Sequence, residues 1–203
     1  FSQMKRVKQH AKGKGVFLMG DIPILINSES HDVWAHQDLF DLSMVAGSPP
    51  NKLYDPKGQR WDLPLYNWNA HDQTDYFWWK KRLKIAEEFF HMYRIDHIQG
   101  LFRIWAVPKN GDPSKGHFIP KDPALMDIQG RELLDALIQT TDMLPVGETM
   151  GTIPKFVKSC LKEYGICSLN IFRRAKYTEG NQSFIPSEKY PPLSLNSVST
   201  HDI

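Results

Sequence analysis

Cysteine is almost missing from this 203-residue sequence, in which Cys160 and Cys167 are the only two. Two thiols cannot build a disulfide framework, and neither has further Cys or His partners at metal-ligand spacing. A disulfide-stapled scaffold and a structural zinc site are therefore excluded. A reducing compartment is the expectation: the cytoplasm or, were the source a plant, a plastid. Long apolar runs are missing too. No segment approaches the ~18 consecutive apolar residues of a membrane span, and no charged-then-apolar leader opens the sequence, so no membrane partner is expected. Neither sign of charge dominates: 25 Lys and Arg face 23 Asp and Glu, for a net +2. These charges are scattered, without the clustered basic face of nucleic-acid binders, which argues against a nucleic-acid partner and suits a neutral substrate. Internal repeats and low-complexity tracts are absent as well.

What is there is a globular balance of 41% hydrophobic and 24% charged residues. The length suffices for one domain but is short for a complete eight-stranded α/β barrel. The sequence opens on Phe1 and stops at Thr200-His201-Asp202-Ile203, directly after an apparent strand, and reads as a fragment. Aromatic residues reach 12%, with six Trp. That exceeds the needs of a compact core, so some rings are expected to face a ligand; flat apolar faces stack well on sugar rings.

Five short apolar runs end in polar or charged residues, and helical patterns separate most of them. Such alternation is the signature of parallel strands with crossover helices. The runs are Val16 to Met19 continuing through Ile22 to Ile26, then Met92 to Ile95, Leu144 to Val146, Ile166 to Ile171 and Ser197 to Thr200. The spacing of Trp79, Leu83, Ala86, Phe90 and Tyr93 predicts a helix from a Thr74/Asp75 cap to about Tyr93. A second helix is expected over Arg131 to Gln139, and a third from Pro154 to about Glu163. Cys160 falls on that third helix's apolar stripe and is expected to fill core. Between the first run and the long helix lies an insertion over about 27–71, rich in Pro, Gly, Asn and Asp, with one short helical turn near Val33 to Phe40. Long insertions of this kind usually carry function. Pro108 to Pro123 reads as a surface loop.

Three carboxylates stand where apolar runs end. In Arg94-Ile95-Asp96-His97, strand alternation points Arg94 and Asp96 the same way, and a guanidinium beside a carboxylate favours its ionised form and fixes its direction. A structural Arg/Asp pair remains the alternative at this point. Glu148 follows Val146-Gly147, with glycines that let backbone or substrate approach closely. Asp202 closes Ser199-Thr200-His201-Asp202. In a parallel barrel all strand C-termini open on one face, so carboxylates far apart in sequence can meet there. Carboxyl groups about 5 to 5.5 Å apart perform retaining glycoside chemistry.

These blocks, taken in order, resemble the 4-α-glucanotransferases known as amylomaltase or disproportionating enzyme, glycoside hydrolase family seventy-seven, relatives of the α-amylases. Gly20-Asp21-Ile22-Pro23 is similar to the family's third-strand end. Asp32-Val33-Trp34-Ala35, Ala46-Gly47-Ser48-Pro49-Pro50, and Gly58-Gln59-Arg60-Trp61 with Pro64-Leu65-Tyr66 resemble its substrate loops. Arg94-Ile95-Asp96-His97 with Gly100, and Trp105-Ala106-Val107-Pro108, resemble the nucleophile block. Gly147-Glu148 is similar to the acid/base block and Thr200-His201-Asp202 to the stabiliser block. The resemblance implies an α-amylase-type (β/α)8 barrel, incomplete, with about strands 3 to 7 present, the whole chain 1–203 being part of that catalytic domain. It implies Asp96 as nucleophile, Glu148 as acid/base and Asp202 as stabiliser. Arg94 would orient Asp96, and His97, His201 and Asp21 would bind the same glucose. Gln59, Trp61 and Tyr54 would hold neighbouring units. The implied partners are maltooligosaccharides and α-1,4-glucans, with no metal and no cofactor.

Other readings stand beside these roles. His97 and His201 are alternatively core histidines, Asp21 and Asp32 caps or braces of the loop, and Trp34, Trp68, Trp78 and Trp79 packing residues. Asp62 stands where the family often has Gly, Thr149 where Asp is common, and Pro145 lies inside a presumed barrel strand, where its missing donor is unwelcome. The rival functions are an α-amylase-type hydrolase and a non-catalytic α-glucan-binding remnant. If strands are absent from this piece, sheet edges stay open, and the isolated fragment is expected to be inactive and to aggregate.

Overall fold

The computed structural model describes residues 1–51, 55–149, 153–177 and 183–201. Along the chain run α1 (Ser2–Gly13), β1 (Met19–Ile22), α2 (His31–Ala35), β2 (Phe40–Ser48), β3 (Gln59–Tyr66), α3 (Trp68–Gln73), α4 (Phe77–Glu87) and β4 (Met92–Ile95). Then follow β5 (Ile104–Pro108), β6 (His117–Ile119), α5 (Pro123–Ile138), β7 (Leu144–Gly147), α6 (Lys155–Glu163), β8 (Cys167–Ile171) and β9 (Ser194–Ser197). The chain divides into two compact units: Phe1–Ile22, Phe89–Ile98 and Met143–Ile203 form one, Pro23–Glu88 and Gln99–Asp142 the other. Among the described residues no helix is long and apolar enough to cross a membrane.

The first unit carries a five-stranded sheet in the order β1-β4-β7-β8-β9, with every neighbouring pair parallel. This is the α/β class expected from the alternation of apolar runs and helices. The register sets Arg94 opposite Val146, Val146 opposite Cys167 and Leu169 opposite Leu195. Residues in register share a face and side chains alternate along each strand, so Met92, Val146, Cys167, Leu169, Ile171 and Leu195 fall on one face and pack together there. That apolar floor lies on the same face as Arg94: by register Val146 and Cys167 stand at its level, Met92 one level before it and Leu169 and Ile171 beyond it.

Pro145 sits inside β7, a central strand, without breaking the sheet. The N–H groups of Leu144 and Glu148 both donate towards β4, to His91 and Ile95. By alternation the nitrogen of Pro145 faces the other side, where pairing with β8 starts only at Val146. The missing donor therefore falls just outside the ladder.

Several boundaries differ from the sequence expectation. The first strand stops at Ile22, because Pro23 has no N–H for a further rung. The last strand is Ser194–Ser197, earlier than the run Ser197 to Thr200: pairing with Leu169 draws Leu195 onto the apolar floor, whereas Val198 is 72% exposed. Burial decides that register over β-propensity. α6 starts at Lys155 with Pro154 as its cap, and Cys160 is fully buried, as expected of a core filler.

The second unit holds a four-stranded antiparallel sheet, order β3-β2-β5-β6, three of whose strands lie in stretches that the sequence presents as insertion or loop. The insertion over 27–71 contains β2 and β3, and the stretch from Pro108 to Pro123 contains β6. Pro64 is tolerated because β3 is an edge strand. α4 begins at Phe77, since Asp75 and Tyr76 both have φ of 52°, which a right-handed helix excludes. It ends at Glu87, whose Oε1 accepts the Thr141 hydroxyl at 2.9 Å and the Asp142 N–H at 3.0 Å. α5 starts at Pro123, well before Arg131, because the Asp122 carboxylate accepts the Ala124 N–H at 2.9 Å and Pro suits the first turn. Trp78 and Trp79 are buried, and Trp68 is half-buried against Tyr66 and His71. Trp34 departs from the packing reading, being 78% exposed.

Candidate active site

Three adjacent strands of the first unit end in Asp21, Arg94 with Asp96, and Glu148. The register puts Asp21 opposite Arg94 and Arg94 opposite Val146, so all four functional side chains project from one face. On β4 and β7 that face becomes polar within one level, because Asp96 and Glu148 stand two residues beyond the register partners Arg94 and Val146.

Arg94 is the hub. Its Nη1 lies 2.8 and 2.7 Å from the two carboxylate oxygens of Asp21. Its Nη2 lies 3.0 Å from Asp96 Oδ1 and 3.0 Å from Glu148 Oε2. Two oxygens held at that range by one nitrogen cannot be more than twice the distance apart. The Arg94 side chain is 5% exposed, whereas Asp21 and Asp96 retain 40% and 37%. The guanidinium is thus walled in, and the two aspartates stay open to an approaching ligand.

Three acids around one cation leave excess negative charge if all ionise, and the most buried acid yields first. Glu148, with 10% of its side chain exposed, is pushed up to about 7, by burial first and also by its Asp96 neighbour. The His97 N–H, donated to Glu148 Oε2 at 2.8 Å, and the Arg94 charge pull the other way without prevailing. Burial disfavours the Arg94 cation, but Asp21, Glu148 and Asp96 together raise it. A carboxyl titrating near neutrality beside another carboxylate is what general acid/base chemistry requires.

The remaining expected residues divide. His201 reaches towards Asp21, Nε2 to Oδ2 3.8 Å, and is 69% exposed, so it is no core histidine. His97 is half-buried and has φ 44°, in the left-handed region. Gln59 and Trp61 belong to β3 in the second unit, where the indole N–H donates to the Gln59 side-chain oxygen at 2.9 Å. Asp32 braces its unit by accepting the Trp78 indole N–H at 3.1 Å. Asp202 and Tyr54 lie outside the described residues. Among the described residues no group of three or more His, Cys, Asp or Glu side chains is arranged to hold a metal ion. The middle of the carboxylates is filled instead by the Arg94 guanidinium.

The family model described as 4-alpha-glucanotransferase, glycoside hydrolase family seventy-seven, matches residues 1–203. The chain belongs to this family. It is 45% identical over 202 residues to the 4-alpha-glucanotransferase of Chlamydia muridarum, covering 100% of this chain and 38% of that protein. To the chloroplastic/amyloplastic 4-alpha-glucanotransferase of Solanum tuberosum it is 30% identical over 207 residues, covering 98% of this chain and 34% of the other. Its fold is similar to that of the amylomaltase from Streptococcus agalactiae solved in complex with acarbose. The TM-score is 0.80 at 27% identity, over 100% of this chain and 41% of that one. The chain thus spans well under half the length of the family members it matches.

Sequence reasoning missed two features of these units. Asp21, expected at the sugar, also has both carboxylate oxygens on Arg94; the shared position of Gly20-Asp21 and Tyr93-Arg94 at the ends of neighbouring strands is the available signal for that pair. His71, fully buried in the second unit, was not singled out at all. It lies among the rings of Phe40, Tyr66, Trp68 and Trp78, and burial lowers it to about 4.

Proposed function

We propose that the whole protein carrying this chain is a retaining 4-α-glucanotransferase, moving α-1,4-glucan segments to the 4-hydroxyl of glucose or of another glucan. The observation that carries the reading is the single Arg94 nitrogen 3.0 Å from both Asp96 and Glu148. It holds the two carboxyl oxygens no more than about 6 Å apart, which is compatible with the ~5 to 5.5 Å of retaining enzymes and short of the ~6.5 to 9.5 Å that leaves room for an inverting water.

In this reading Asp96 attacks the anomeric carbon of the donor while Glu148 gives its proton to the departing 4-oxygen. A glucosyl ester on Asp96 results, with the anomeric configuration inverted. The Glu148 carboxylate then takes the proton of an acceptor 4-hydroxyl, whose oxygen displaces Asp96 and restores the α-configuration. Asp202 follows β9 in sequence and takes the part of stabiliser; His97 and His201 contact the same glucose, and Gln59, Trp61 and Tyr54 neighbouring units. Asp21, which also anchors Arg94, contacts that glucose too. The five parallel strands stand for strands 3 to 7 of an α-amylase-type barrel, with 27–71 as its substrate-loop insertion. Maltooligosaccharides and α-1,4-glucans are the substrates, and two cysteines with no disulfide between them suit the cytoplasm.

The test is incubation of the full-length protein with maltotriose. A ladder of longer oligosaccharides with free glucose is expected, and Asp96→Asn abolishes it. Shorter products alone make the protein a hydrolase instead. Glucan binding without turnover in the wild type makes it a binding module.

A further inference from the structure

Glu148 is held by two kinds of donor: the charged Arg94, and the uncharged main-chain N–H of His97. The second is unusual for its place in the sheet. The Glu148 N–H donates to the Ile95 carbonyl at 3.0 Å, so the next donor on that side of β4 is the His97 N–H. A continued ladder would send it to the Glu148 main chain. Instead it goes to the side-chain oxygen Oε2, at 2.8 Å. At that residue the backbone turns left-handed, φ 44°, a conformation rare outside glycine although His tolerates it better than most. The turn is pressed against β7: a Cβ added at Gly147 would lie 2.8 Å from Cδ1 of the fully buried Ile98, the residue after His97.

We infer that the His97 main-chain N–H is a positioning group for Glu148, aimed by the left-handed turn at 97, and that this role is separate from anything its imidazole does. The inference rests on Glu148 being the acid/base. The charged groups around this carboxyl are Arg94 and Asp96 from the β4 end; Asp21 from β1 stands on the far nitrogen of Arg94, with His201 beyond it. The N–H is the uncharged donor among them, so removing it changes no net charge.

The experiment replaces His97 in the full-length protein by its α-hydroxy acid, turning the amide into an ester that keeps the imidazole. An anion that loses a donor binds its proton more tightly, so the basic limb of kcat against pH is expected to move up by about one pH unit. His97→Gly keeps the N–H and is expected to leave that limb in place, whatever it does to KM. In protein labelled with 15N-histidine, which needs no backbone change, the His97 amide signal is expected to titrate with the limb and to stop doing so in Glu148→Gln. An unmoved limb in the ester, or an amide signal that ignores pH, overturns the inference. Glu148→Ala separates the two claims. If it is inactive on maltotriose but consumes α-maltosyl fluoride in azide, the acid/base reading stands and a failure belongs to His97 alone. If it still transfers from maltotriose, the acid/base reading itself falls.

Discussion

Arg94 meets Glu148 through the same nitrogen that meets Asp96, with Oε2 and Oδ1 each 3.0 Å away, while its other terminal nitrogen is taken by Asp21. One planar cation thereby sets the separation of two acids and is itself anchored by a third. Arg94→Ala leaves three acids without a counter-charge around a buried void. A loss of about 3–5 kcal/mol in stability is expected, with kcat/KM down about a thousandfold. Arg94→Lys keeps the charge but not the fork, so its activity falls roughly a hundredfold with a smaller change in stability. Urea unfolding and maltotriose kinetics on the full-length protein read the two separately.

The second prediction concerns pH. Glu148 has to be protonated to act as acid and is held at about 7 in the fold. The basic limb of kcat/KM is therefore expected near pH 7, and activity falls above it. The sign for stability follows from the same shift: the folded state favours the protonated form, raised from 4.5 to about 7. That contribution is fully present below pH 4.5 and is lost as pH rises through 7. Glu148→Gln stays neutral throughout, so its urea midpoint is expected to vary less between the two ends of this window than the wild type's.

His71 carries the opposite sign. Burial lowers it from 6.5 to about 4, against the weaker pull of the Leu39 carbonyl and Asp38. The stability it contributes is present above pH 6.5 and is lost as pH falls through 4, a change on the order of 3 kcal/mol. Trp68 and Trp78 stand 5.4 and 6.0 Å from its ring, so tryptophan fluorescence follows the loss directly. His71→Phe is expected to flatten that acid-side dependence.

Asp62 has φ 58°, and its carboxylate pairs with Arg60 Nε at 2.8 Å on an exposed surface. An exposed pair of this kind contributes little. Asp62→Gly is expected to leave stability within about 0.5 kcal/mol, whereas Asp62→Val, which adds β-branching in the left-handed region, costs about 1–2 kcal/mol. Equilibrium unfolding of both variants decides whether strain or the ion pair governs this position.

Much of the first unit was legible. Met92 to Ile95 emerged as a strand with the expected bounds, the runs around Val146 and Leu169 nearly so, because buried parallel strands are short, apolar and bracketed by polar residues. The shared direction of Arg94 and Asp96 followed from alternation alone. The second unit was poorly legible. β3 contains Pro64 and a left-handed Asp62, and β2 pairs with it through register shifts, so neither shows the alternation that marks a strand. α4 carried its apolar stripe openly, but its start was set by two left-handed residues that no propensity announces.

Residue order alone determined the chemical inventory, namely which acids close which strands and which arginine precedes the first of them, since period-two alternation and the block order are local properties. Tertiary structure alone decided that Asp21 pairs with Arg94, that Glu148 is buried enough to be pushed up to about 7, and that the His97 N–H meets its carboxylate. Those outcomes depend on the register between strands distant in the chain and on how much water each carboxyl loses when they close together, and neither quantity is carried by any single segment.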